Sequence, residues 1–97
     1  MLELTGKNFE SEVIQNQLLP VLVLWAVAMD VNSTQLAFKI MKLDTTKVKI
    51  AKVDIDQSPD LVMRYSVRQV PLLVLFVQGM AVAQDTNLSF SILQNIQ

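Results

Sequence analysis

The chain has 97 residues, 52% hydrophobic and 18% charged, with a net charge of −1. That length supports one core and a single domain over residues 1–97, and such apolar content excludes a disordered chain. There is no cysteine and no histidine, which excludes disulfides, thiolate nucleophiles and thiolate metal sites, and removes the commonest general base and metal ligand.

The first residues, Met1-Leu2-Glu3-Leu4, lack the basic start and long apolar run of a signal peptide. Leu2 to Leu4 reads as a short edge strand. Thr5 to Asn8 reads as a helix start, with Phe9, Val13 and Ile14 as its apolar stripe. Leu18 to Met29 is apolar for twelve residues with Pro20 inside it, short of the roughly 18 residues of a membrane span. Within it, Val21 to Ala26 has the continuous apolar pattern of a strand buried on both faces.

Asp30, Asn32 and Ser33 are the candidate caps of a helix reaching to about Leu43. Its expected buried arc is wide: Leu36, Ile40 and Leu43, broadened by Ala37, Phe38 and Met41, with Gln35, Lys39 and Lys42 as the polar stripe. Val48 to Ile55 is the next strand. Ser58-Pro59-Asp60 then has the grammar of a helix start, with a serine cap, proline at the first position and an acid in the first turn. Leu72 to Val77 is a strand, Gln78-Gly79 a hairpin turn and Met80 to Ala83 the returning strand. Asn87 or Ser89 caps a last helix carrying Leu88, Ile92, Leu93 and Ile96. The order β-α-β-α-β-α-β-β-α predicts an α/β domain, with a mixed sheet of 4–5 strands flanked by about four helices on both faces.

This order and these residues resemble thioredoxin. The motifs are the strand and helix start in "VKIAKVDIDQSPD", the approach "YSVRQVP", the hairpin "LFVQG", and "LTGKNFESEVI" with "VLVLWA" in the first third. The resemblance covers nearly the whole chain and implies the thioredoxin fold. It also implies a turn after Trp25-Ala26 where the family carries two cysteines, with Met29 and Asn32 at the cysteine positions and Asp30-Val31 between them. A thioether cannot ionise and an amide cannot attack sulfur, so no catalytic dithiol cycle is available and no catalytic residue is assigned. Val23 stands where the family carries a buried acid, which leaves Lys52, matching a lysine near that acid, to reach solvent or to titrate below an ordinary lysine. Val70-Pro71 matches the family's cis-proline loop. The resemblance therefore implies a vestigial groove of Trp25, Ala28, Met29, Asp30, Val31, Val70 and Pro71.

Other residues have simpler readings. Asp54 and Asp56 suit strand-end and turn roles better than a cation site, so no metal is expected. Met29, Met41, Met63 and Met80, spread over different elements, read as core fillers. Lysines 39, 42, 47, 49 and 52 are interleaved with apolar residues and have no aromatic series, which argues against nucleic acid. The sequence thus reads as a redox-inactive thioredoxin-fold protein without cofactor or enzymatic activity, engineered for folding. The alternative is a natural cysteine-less module that binds a polypeptide through the groove. Peptide binding and weak self-association at the apolar rim are the only associations it suggests.

Overall fold

The computed structural model describes residues 1–96. Five strands form one sheet in the order β1-β3-β2-β4-β5: β1 (Leu2–Leu4), β2 (Val21–Ala26), β3 (Lys49–Asp54), β4 (Leu72–Val77) and β5 (Met80–Asp85). β3 runs parallel to both β1 and β2, whereas β4 is antiparallel to β2 and β5 to β4. The helices are α1 (Val31–Ile40), α2 (Pro59–Arg64) and α3 (Phe90–Leu93), and the segment Glu10–Ile14 is a π-helical turn closed by the Gln15 N–H donating to the Glu10 carbonyl at 2.9 Å.

The apolar runs of β2 and β4 reflect burial on both sides. Val21, Val23 and Trp25 of β2, with Leu72, Val74 and Phe76 of β4, pack against Phe9, Val13 and Leu61 under the π turn and α2. The alternate residues Leu22, Leu24, Leu73 and Leu75 pack against Leu36 and Ile40 of α1 and Ile92 of α3. Two half-cores thus sandwich the sheet, as period-two alternation requires. The hairpin turns at Gln78-Gly79, where both residues have positive φ (51° and 82°), the conformation that keeps a two-residue turn in step with strand twist.

Several boundaries differ from the sequence expectation. The first helix is only the π turn, because Asn8 folds back: its side-chain oxygen accepts from the Thr5 N–H at 2.7 Å, and its amide donates to the Glu3 carbonyl at 3.1 Å. α1 stops at Ile40 and not near Leu43, giving way to turns that include the Leu43 N–H donating to the Ile40 carbonyl. β5 extends two residues past Ala83, to Asp85, because β4 offers it partners down to Leu73. Ser58 precedes α2 as foreseen but makes no side-chain capping bond, being buried.

Two expectations about burial are corrected. Phe38 and Met41, assigned to the buried arc of α1, are 63% and 57% exposed. The sheet receives only the strip Ser33, Leu36, Ala37 and Ile40, and a cylinder meeting a sheet along one strip leaves its far side in water. The methionines are not core fillers: Met29, Met41, Met63 and Met80 are all exposed, since each sits on the solvent side of its element while branched and aromatic residues fill both half-cores.

The cysteine-free turn as the candidate functional site

β2 delivers the chain to the turn, and its end is tied down. The Ile55 N–H donates to the Ala26 carbonyl at 3.0 Å, and the Val27 N–H donates to the Ser33 hydroxyl at 3.3 Å. Ser33, foreseen as a cap, is instead buried and spent on holding the strand end to α1. Asp30 is the cap. It is extended (φ −82°, ψ 131°) and its carboxylate accepts from the Ser33 N–H at 2.8 Å. Asn32, the third candidate, lies one residue inside the helix and is exposed. Met29 takes the left-handed conformation (φ 66°), which turns its side chain out to 97% exposure. It precedes the cap, so it stands outside the first helical turn and its free N–H groups.

The groove residues line several adjoining hollows at this end of the sheet. Ala28 and Met29 line a cleft of about 250 Å³ with Thr34, Ala37, Lys52 and Asp54. Pro71 lines another, of about 270 Å³, with Asn32, Gln35 and Lys39. Residues 34 and 37 lie on one flank of α1, and 32, 35 and 39 on the other, so the helix runs between these two clefts. Val70 belongs to a third, smaller hollow beside Ile55 and Val62. Asp30 is half-buried in its capping role and Val31 is 68% exposed. The Val70–Pro71 peptide bond is cis.

Trp25 is fully buried beneath the turn, its ring 6.1 Å from that of Phe9 and 5.9 Å from that of Tyr65. Its Nε1 has no hydrogen-bond partner among the described residues. Val23 is also fully buried in this half-core, an apolar residue among apolar neighbours. Lys52 is exposed and sits in register between Glu3 and Leu24, so it reaches solvent on the α1 side of the sheet. Asp54 accepts from the Asp56 N–H at 3.0 Å, the strand-end turn expected of this pair. Among the described residues no three acidic side chains are grouped to hold a metal ion, and no helix is long and apolar enough to cross a membrane.

Sequence reasoning missed Lys52 and Asp54 as neighbours of Met29 in one cleft. The β2–β3 register, which sets Ala26 beside Asp54, is what brings them there, and no local motif announces it.

The thioredoxin family model matches residues 1–94. The chain is 37% identical over 78 residues to a thioredoxin of Rickettsia bellii, covering 77% of this chain and 73% of that one. It is 32% identical over 84 residues to thioredoxin C-2 of Corynebacterium nephridii, covering 84% and 77%. A thioredoxin of Rickettsia felis is 35% identical over 78 residues, covering 77% and 73%. With the mixed five-stranded sheet, the match over nearly its full length and a turn that holds methionine and asparagine, the chain belongs to the thioredoxin family and carries no cysteine.

Proposed function

We propose that this family member performs no dithiol–disulfide exchange and holds a polypeptide segment against the surface of the turn. The observation that carries the reading is Met29: a flexible thioether at 97% exposure, at the cysteine position implied by the resemblance, in a chain without any thiol. Exchange needs a thiolate attacking a disulfide sulfur, and no residue here supplies one. Apolar contact remains possible at Ala28, Met29 and Val31, which stand together in solvent.

A second reading is a chain engineered for folding alone. Val23 favours it, since an apolar residue there avoids the desolvation cost of a buried acid. The turn favours the binding reading, because Ala28, Met29 and Val31 are exposed and fill no core volume.

One experiment addresses both parts. In a disulfide-reduction assay driven by dithiothreitol, the protein is expected to leave the rate at its protein-free baseline; a catalysed rate would overturn the redox-inactive reading. The ¹⁵N-labelled chain is then titrated with a reduced, alkylated, unfolded polypeptide. Amide shifts confined to residues 27–32 and lost in Met29→Lys support binding at the turn. No saturable shift leaves the chain engineered for folding.

A further inference from the structure

The face of the sheet that carries Trp25 holds a cavity outside the turn. β2 contributes Trp25 to it, β4 contributes Leu72, Val74 and Phe76, and β5 contributes Ala81 and Gln84. Ala81 stands opposite Phe76 and Gln84 opposite Val74, and partners directly across an antiparallel pair share a face, so these side chains form one floor. Ala83 points the other way and packs in the half-core of α1 and α3, whereas Ala81 and Gln84 are exposed. The wall is the chain from Tyr65 to Gln69, turned out of α2 by Ser66 in the left-handed conformation (φ 54°). Floor and wall bound about 330 Å³, within the range of small-molecule sites. Of the residues expected in the groove, only Trp25 lines this cavity.

Its chemistry changes from base to mouth. At the base Trp25 is fully buried, and its Nε1–H has no acceptor among the described residues. A buried donor left unpaired keeps its whole desolvation penalty, which an acceptor brought by a ligand removes. Above it stand aromatic rings: Tyr65 lies edge-on to Phe76 at 6.0 Å and 5.9 Å from Trp25, an arrangement that a further flat ring extends favourably. At the mouth Arg68 is exposed and forms no ion pair among the described residues, and no acidic residue lines the cavity. A free guanidinium is suited to a carboxylate, which it takes with two parallel N–H bonds.

We propose that this cavity binds a small aromatic acid bearing an acceptor oxygen at the end of the ring opposite its carboxylate. The ring lies against Tyr65, Leu72 and Phe76, the carboxylate meets Arg68, and the distal oxygen accepts from Trp25 Nε1. A purely apolar molecule would leave both the indole N–H and the guanidinium unanswered. An inorganic anion would leave the aromatic walls unfilled, and a cation would find no acid among the lining residues.

The test titrates the ¹⁵N-labelled chain, whose single tryptophan gives one indole N–H resonance. The probe is 4-hydroxyphenylacetate, with two twins: 4-hydroxyphenylacetamide, which lacks the charge, and phenylacetate, which lacks the distal oxygen. The probe should move the indole proton downfield in a saturable way, with amide shifts at residues 65–69 and 81–84. The uncharged twin should bind about tenfold more weakly, charge-assisted bonds being about twice as strong as neutral ones. Phenylacetate should bind more weakly than the probe and leave the indole proton without a downfield shift. Arg68→Gln should erase the difference between acid and amide, and Ala81→Phe, which fills the cavity from its floor, should abolish binding of all three. Both substituted residues are exposed, and near-ultraviolet circular dichroism verifies the fold. No saturable shift, equal binding of acid and amide, or an indole resonance indifferent to the distal oxygen would overturn the proposal. So would binding that survives Ala81→Phe, or shifts confined to residues 27–32, which would place the ligand at the turn.

Discussion

Met29 decides the character of the turn. An L-residue in the left-handed region crowds its Cβ against the following carbonyl at a cost of about 1–2 kcal/mol, and at 97% exposure this side chain gains no packing in return. Met29→Gly is therefore expected to stabilise the fold by about 0.5–1 kcal/mol, the relieved strain being partly offset by the greater freedom of glycine in the unfolded chain. Denaturant unfolding measures it, and a loss of stability would mean that the thioether makes contacts the exposed geometry does not provide. The same residue shows what a sequence can and cannot convey. That position 29 cannot ionise is legible from its identity. That it stands before the helix cap, outside the first turn, depends on Asp30 winning the capping role over Asn32 and Ser33, which their composition alone does not decide.

At the scale of the element, α1 is capped at its start by the Asp30 carboxylate, which accepts from the Ser33 N–H. Asp30→Ala should cost about 1 kcal/mol, seen as a lower denaturation midpoint with an unchanged slope. No effect would mean that the Ser33 hydroxyl's bond to Val27 holds the start of the helix unaided. β2 and β4 were readable because strands buried on both faces leave continuous apolar runs, and the hairpin because Gln78-Gly79 lies between two such runs. The edges of elements were less readable. β5 runs on to Asp85 because of its partner strand, and the first helix shrinks to a π turn because of Asn8's side-chain bonds. α1 misled in an instructive way. Its apolar residues cover more of its circumference than the sheet can bury, and helical spacing does not say which part of a wide arc meets the sheet. The groove residues, likewise, were legible as a set only through the resemblance, while the clefts on either flank of α1 needed three dimensions.

For the whole molecule, pH acts from both sides. Asp44 is held below the usual aspartate value by the Thr46 hydroxyl and N–H. Asp85 is held low by the Ser89 hydroxyl and the Thr86 N–H. A depressed carboxylate stabilises the fold above its unfolded value of 3.8 and withdraws that support as pH falls through its folded value. Tyr65 is shifted the other way: burial raises its phenol above the usual 10.0, opposed by the nearby Arg64. Its contribution is complete below pH 10.0 and is lost as pH rises through the raised value. Stability should therefore form a plateau through neutrality. Tyr65→Phe should make the alkaline fall shallower in urea melts taken at increasing pH. An unchanged alkaline limb would place the loss in other groups.

Trp25 is the sole tryptophan, and it lies wholly inside the half-core under the π turn. The chain thus contains its own optical reporter. An indole shut away from water emits toward the blue, and it shifts red only when that half-core opens. Substitutions at Met29 or Met41, both on the surface, should leave this emission unchanged. A variant that stops binding can then be separated from one that stops folding in the same cuvette, without a dye.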